Sequence, residues 1–207
     1  YIIDSLCYWA SEYHIDGFRF DLMGVLDIET LNEARKALLK INPDIIMYGE
    51  GWTGGESTLP ESERGMKINA PRTPGIGMFS DDIRDAVKGH VFYMDELGFV
   101  NGAADRGEEL KQAVTCAKWA KSPMQSINYL SCHDNYTLWD RFIISNSHES
   151  EEMRIRMNKL AAAILFTAQG IPFFLHGEEF ARTKISEADG APVENSYCSP
   201  LSVNAID

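Results

Sequence analysis

Gly17-Phe18-Arg19-Phe20-Asp21 is the stretch that decides how the chain is read. Phe18 and Phe20 make it a short buried strand, and it ends on a carboxylate. Helical spacing precedes it (Ile2, Ile3, Leu6, Trp9, Ala10, Tyr13) and follows it (Ile28, Leu31, Ala34, Leu38). In an α/β enzyme, chemistry sits at the C-terminal end of a parallel strand, where the βα loops converge. The pattern returns twice. Ile45-Ile46-Met47-Tyr48-Gly49-Glu50 is a second apolar run ending on an acid, and residues 127–134 form a third, ending on Asp134.

Working outward, the first helix docks on a sheet. Asp27 is placed to cap a second helix running to about Lys40, with Glu29 in its first turn. Asn42-Pro43 stops that helix. Residues 51–78 carry six of the sixteen glycines and three prolines, without sustained periodicity. So long a loop directly after Glu50 reads as a functional wall. Residues 78–80 read as a very short strand, 81–88 as a helix stopped by Gly89, and 108–121 as a helix ended by Pro123. Residues 125–131 read as a strand, 137–144 as a short helix, 149–169 as a long one, and 171–177 as the last strand. The remainder, to Asp207, reads as loop. The strand–helix alternation, with crossovers of this length, predicts parallel strands in an α/β fold. A doubly wound sheet and a barrel both fit it. No Gly-rich fingerprint follows any strand, so a nucleotide site is unsupported. A complete barrel needs eight strands and about 250 residues, so on the barrel reading this chain is its second half.

The 207 residues, 44% hydrophobic and 24% charged, suit one globular domain with a core of its own. A net charge of −12 carries no basic nucleic-acid footprint and disfavours an anionic membrane. The four cysteines, Cys7, Cys116, Cys132 and Cys198, lack metal-ligand spacing and read as reduced thiols. No apolar run reaches the length of a membrane span. The chain opens at Tyr1 inside a helical pattern, which reads as an internal fragment of a longer protein. Its compartment, cytoplasmic or secreted, therefore stays open.

Cleavage of a glycosidic bond needs two carboxyl groups flanking the scissile bond, one as proton donor and one as nucleophile or base. Neighbouring parallel strands are about 5 Å apart, so acids at adjacent strand ends reach the roughly 5–6 Å separation of a retaining enzyme. Asp21 and Glu50 meet that requirement. Glu50, with the longer stem, suits the acid, and Asp21 the nucleophile. Arg19 points to the same face as Asp21 and favours its ionised form. Asp134 adds a third negative charge for an oxocarbenium-like transition state, and His133 can donate to a sugar hydroxyl. Other roles fit each residue singly. A strand-end acid also caps helices or pairs with arginine, His14, His133 and His176 fit structural positions, and Trp52, Tyr48 and Trp139 fit packing as well as sugar stacking. Three acids in one topological position are what point to a site. A metal centre lacks HExxH or clustered cysteines, and no G-x-S-x-G elbow supports a serine nucleophile.

Gly17 to Asp21, Gly49-Glu50 and His133-Asp134 resemble three signature segments of the α-amylase family of glycoside hydrolases. Phe18 to Gly24, Tyr48 to Trp52, Ser131 to Asn135, Phe79 to Gly89, Gly177 to Lys184 with its Arg182-Thr183-Lys184, and Asn195 to Tyr197 are similar to the type I pullulanase branch of that family. The resemblance spans essentially the whole chain. It implies strands four to eight of a (β/α)₈ barrel and retaining hydrolysis of α-1,6-glucosidic branch points in pullulan, glycogen or amylopectin-type glucans. It implies Asp21 as nucleophile, Glu50 as acid/base and Asp134 as transition-state stabiliser. Arg19 and His133 are implied as supporting residues, and Trp52, Asn135, Asn195 and Tyr197 as substrate contacts. No cofactor follows, and calcium has no assignable site. The family's Asp and His after its third strand would lie upstream of Tyr1, as would the first barrel half and the accessory domains; a C-terminal β domain would follow. The implied partner is an α-glucan, with self-association through open sheet edges. Isoamylase-like or α-1,4-glucan hydrolysis is the alternative within the family, and a non-catalytic glucan-binding module the alternative outside it.

Overall fold

The computed structural model describes residues 1–206; Asp207, the end of the expected terminal loop, lies outside the described residues. The chain forms two compact units, one of residues 1–79 with 118–127, the other of residues 80–117 with 128 onward.

In the first unit, helix α1 (Ile2–Tyr13) leads into strand β1 (Gly17–Phe20). Helix α2 (Ile28–Leu38) then returns the chain to β2 (Ile46–Gly49). Asp27 caps α2 as expected, its Oδ1 accepting from the Thr30 amide at 2.7 Å. The predicted apolar face of α2, Ile28, Leu31, Ala34 and Leu38, is the buried one. Fully burying a side chain of this kind stabilises by about 1.5–3 kcal/mol, which is how so short a helix holds. Leu31, Ala34 and Leu38 join Met23, Ile45, Met47, Ala70, Ile76 and Met78 in one core. From α1 only Ala10 is buried there, with Ile3 and Leu6 packed alongside. Trp9 and Tyr13, read from spacing as part of that face, instead stack on each other at 4.5 Å and remain exposed.

Residues 51–75 are ordered by backbone hydrogen bonds. The Gly65 amide donates to the Leu26 carbonyl at 2.8 Å and the Lys67 amide to the Gly51 carbonyl at 3.0 Å. Buried Gln125 donates to the carbonyls of Ala70 (2.9 Å) and Thr73 (3.1 Å). The segment leads into β3 (Ile76–Ser80), longer than its expected three residues and parallel to β2, as β2 is to β1.

In the second unit, helix α3 (Asp81–Lys88) ends at Gly89, whose φ of 88° suits glycine. Helix α4 (Gly107–Thr115) stops well short of the expected Lys121. Cys116 leaves the helix with φ 157°, and from Lys118 the chain belongs to the first unit, where Trp119 packs on the core. The periodicity of 108–121 thus spans a change of unit. Strand β4 is only Ser126–Asn128. Helix α5 (Leu138–Ser145) is capped by Thr137, and α6 (Glu151–Thr167) by Ser150. Strand β5 shrinks to Ile171–Pro172, joined through the Phe173 amide to the Asn128 carbonyl at 2.7 Å. Near the terminus Leu201–Asn204 form a one-turn helix, α7, in the expected loop. The core of this unit is built from Ile83, Val87, Leu130, Leu138, Phe142, Ala161 and Leu165.

Strand order follows chain order, β1 to β5. A doubly wound sheet reverses its order at a switch point; this one does not, so the barrel-type winding is the one adopted. No helix among the described residues is long and apolar enough to cross a membrane.

Candidate active site

The register of β1 and β2 delivers the first two acids. Phe20 lies opposite Gly49, and the Glu50 amide donates to the Phe20 carbonyl at 3.0 Å. Asp21 and Glu50 are the next residues on each strand, and a carboxylate oxygen of one lies within 4.8 Å of one from the other. Gly49 permits the approach: a Cβ there would stand 2.5 Å from the Phe20 carbonyl oxygen.

Arg19 joins the pair. Its Nη1 donates to Asp21 Oδ1 at 2.5 Å and its Nη2 to Glu50 Oε1 at 2.6 Å. The guanidinium lies 5.7 Å from the centre of the Phe79 ring, which in turn meets Tyr48 edge-on. Planar, forked and packed on an aromatic, Arg19 fixes the direction of both carboxylates. The surroundings of the two acids differ sharply. Glu50 is 2% exposed, with its second oxygen accepting from the Leu22 amide at 2.8 Å. Asp21 has 59% of its side chain open to solvent. Leu22 reaches Glu50 by adopting the left-handed conformation, φ 44°, which costs a non-glycine residue about 1–2 kcal/mol. The positive charge between the carboxylates is Arg19's own.

Trp52 is half-buried. Its carbonyl accepts from the Gly24 amide at 3.1 Å, and a Cβ on Gly24 would come within 2.5 Å of that oxygen. Lys67 Nζ lies 5.4 Å from the Trp52 ring centre, so one face of the indole already carries a cation.

The second unit holds the third acid, in a different setting. β4 ends at Asn128, and Asp134 follows six residues later, beyond buried Tyr129 and Leu130. It does not sit at a strand end, because the ladder stops early and the chain continues as a loop. His133 Nε2 and Asp134 Oδ1 are 3.4 Å apart, both side chains about half-exposed at 50% and 51%. Asn135 is left-handed, φ 59°, and its amide donates to Asn195 Oδ1 at 3.1 Å. Asn195 thus braces the loop rather than only facing solvent. Tyr197 stands 84% exposed.

No protein-family model matches the chain. Whole-chain relatives are nevertheless clear. The pullulanase of Bacillus subtilis (strain 168) is 40% identical over 214 residues, covering 100% of this chain and 29% of the relative. A crystal structure of pullulanase complexed with maltotetraose from Anoxybacillus sp. LM18-11 superposes with TM-score 0.93 at 48% identity, covering 100% of this chain and 29% of that one. The chain is homologous to the pullulanases. Pullulanase type I from Bacillus subtilis str. 168, complexed with maltose, agrees at TM-score 0.92 and 40% identity, over 100% of this chain and 29% of that structure. The chain therefore spans less than a third of the length of the pullulanases it matches, and its α/β fold matches a portion of theirs.

Within this pullulanase-like chain, several buried polar residues escaped the sequence reading. Ser131 Oγ donates to Glu178 Oε1 at 2.5 Å, and Glu178 is 4% exposed. Burial pushes the Glu178 carboxyl up to about 7, against the pull of the Ser131 hydroxyl and of Lys88. Burial likewise pushes Lys88 down, to about 8. Lys184, 3% exposed, donates from Nζ to the His133 carbonyl at 3.1 Å. Glu178 and Lys184 lie in stretches read only as matches to a signature and as loop; nothing in their local spacing signals burial.

Proposed function

We propose that this chain carries the nucleophile and the acid/base of a retaining glycosidase acting on α-1,6 branch linkages of pullulan-type glucans. One observation carries the reading: Asp21 and Glu50 leave adjacent parallel strands with carboxylate oxygens within 4.8 Å, both held by Arg19. A separation of that order suits attack by one carboxylate while the other protonates the leaving oxygen. Exposed Asp21 is the group a sugar C1 can reach, and is the nucleophile. Buried Glu50 is the acid. Both its oxygens accept hydrogen bonds, one from Arg19 and one from the Leu22 amide, which together hold the carboxyl in place. Asp134 and His133 supply charge and a donor from the loop after β4. Trp52, Asn135, Asn195 and Tyr197 are proposed substrate contacts, with Asn135 and Asn195 acting through the loop they brace. Maltooligosaccharides held by the related pullulanase structures support an α-glucan as the ligand.

The test is hydrolysis of pullulan against amylose by the Bacillus subtilis pullulanase with its matching segment replaced by residues 1–207. Release of maltotriose from pullulan without attack on amylose is the expected result. Attack on amylose alone would reassign the linkage. The 207-residue chain by itself is expected to be nearly inactive and to self-associate through open sheet edges; an active monomer would overturn that part.

A further inference from the structure

The loop that carries His133 and Asp134 has no strand ladder to hold it. It is clipped instead at three successive points by one later stretch, residues 178–195. Glu178 takes the Ser131 hydroxyl, Lys184 takes the His133 carbonyl, and Asn195 takes the Asn135 amide. Of the three clips, Lys184 is the unusual one. A carbonyl in a half-exposed loop is readily satisfied by water, whereas burying an ammonium group is expensive. Lysine is almost never this buried unless paired, and Lys184 is 3% exposed.

We propose that Lys184 is a positioning residue, whose buried ammonium sets the place of the His133–Asp134 backbone. The inference rests on the reading of His133 and Asp134 as site residues. Its geometry is over-determined. The Lys184 amide donates to Asp140 Oδ2 at 2.9 Å, and its carbonyl accepts from Val193 at 2.7 Å. Asp140 is itself fully buried in the first turn of α5. The root of the side chain is therefore fixed on both sides, and its tip meets the His133 carbonyl oxygen. Around the ammonium stand Cys132 and Asp134 from the loop, Asp140 from α5 and Arg182 from its own stretch. Burial and Arg182 lower the Lys184 pKa while the three others oppose them. Of the two carboxylates only Asp134 belongs to the loop; the tip itself is held towards the loop by the His133 carbonyl.

The experiment compares Lys184→Met and Lys184→Gln in the Bacillus subtilis pullulanase carrying residues 1–207 in place of its own segment. Methionine keeps the length and packing of the stem but removes the donor. It should lower kcat on pullulan by on the order of 10- to 100-fold, the cost of a small misplacement at a reacting centre, with KM moved by less than about threefold. Tm should stay within about 2 °C, since methionine keeps the packing of the stem and the half-exposed loop lets water take the His133 carbonyl. Glutamine, which retains a donor, should recover part of the loss. A kcat within about twofold of the parent, or a Tm that falls in step with kcat, overturns the proposal. Amide hydrogen exchange on the 207-residue chain separates this from the functional reading. Lys184→Met should speed exchange at Cys132 to Asn135 and leave α2 unchanged. Unchanged exchange at those amides sinks the positioning role even if the hybrid is a good pullulanase. Faster exchange there sustains it even if the unsubstituted hybrid fails to cleave pullulan.

Discussion

Two stretches of this molecule present acids, and they are built differently. Asp21 and Glu50 are set by the backbone: parallel strands in register, with the Glu50 amide on the Phe20 carbonyl, place them side by side. His133 and Asp134 are set by side chains: Glu178, Lys184 and Asn195 hold their loop from outside. A ladder is local, repetitive and tolerant of what the side chains are. A set of clips is long-range, particular to each residue and sensitive to single changes. The first construction suits groups that must meet at a fixed separation, the second a segment that must be placed against a ligand.

The largest effects should come from the ladder-built pair. Asp21→Asn and Glu50→Gln should each lower kcat on pullulan by about 10⁴-fold while leaving Tm within about 2 °C; a loss below about tenfold for either would remove it from the chemistry. Arg19→Lys comes next. An ammonium cannot bridge two carboxylates as a fork does, so kcat should fall on the order of 10²-fold. Unchanged turnover would mean that register alone orients the acids, making the contrast with the clipped loop sharper still.

A smaller effect concerns the clips. Glu178 binds its proton more tightly in the folded chain, because burial raises its pKa from 4.5 to about 7. Between those values the unfolded chain has lost the proton and the folded chain keeps it, so stability falls as pH rises through that window. Lys88 faces the same carboxyl and opposes the shift. Glu178→Gln should flatten the fall by roughly 2 kcal/mol, read as the difference between wild-type and variant denaturant curves at pH 4.5 and 7. Parallel curves would show that the carboxyl does not titrate in that range. The smallest effect lies outside both acid-bearing stretches. Asp27→Ala removes the α2 cap and should cost about 1 kcal/mol of stability, checked by urea unfolding. A change of pullulan cleavage in step would mean that α2 helps to set the ladder.

The same contrast explains what could be read from the residues alone. The α2 face, the Asp27 cap, the Gly89 stop, and Asp21 beside Glu50 all arise from short-range periodicity and strand succession, and they appear where the spacing places them. The failures lie where distant residues decide. Helix α4 ends at Thr115 because the next segment packs in the other unit, which periodicity cannot register. Strands β4 and β5 are shorter than their apolar runs because Leu130 and Phe174 go to the core rather than the ladder. Lys184 and Glu178 look like surface charges in a loop, and only the fold buries them. The role of Arg19 was legible towards Asp21 but not towards Glu50, which is 31 residues away in the chain.

One detail links the two constructions. Leu22 follows Asp21, Asn135 follows Asp134, and both hold positive φ, 44° and 59°. In each case the reversal aims a backbone amide at a partner, Glu50 for Leu22 and Asn195 for Asn135. For an engineer seeking heat resistance these are tempting targets, since relieving a left-handed residue is a standard route to extra stability. Glycine at either position would accept the geometry without holding it. A thermostabilised descendant of this chain would best leave both untouched and spend its substitutions on the outer helices.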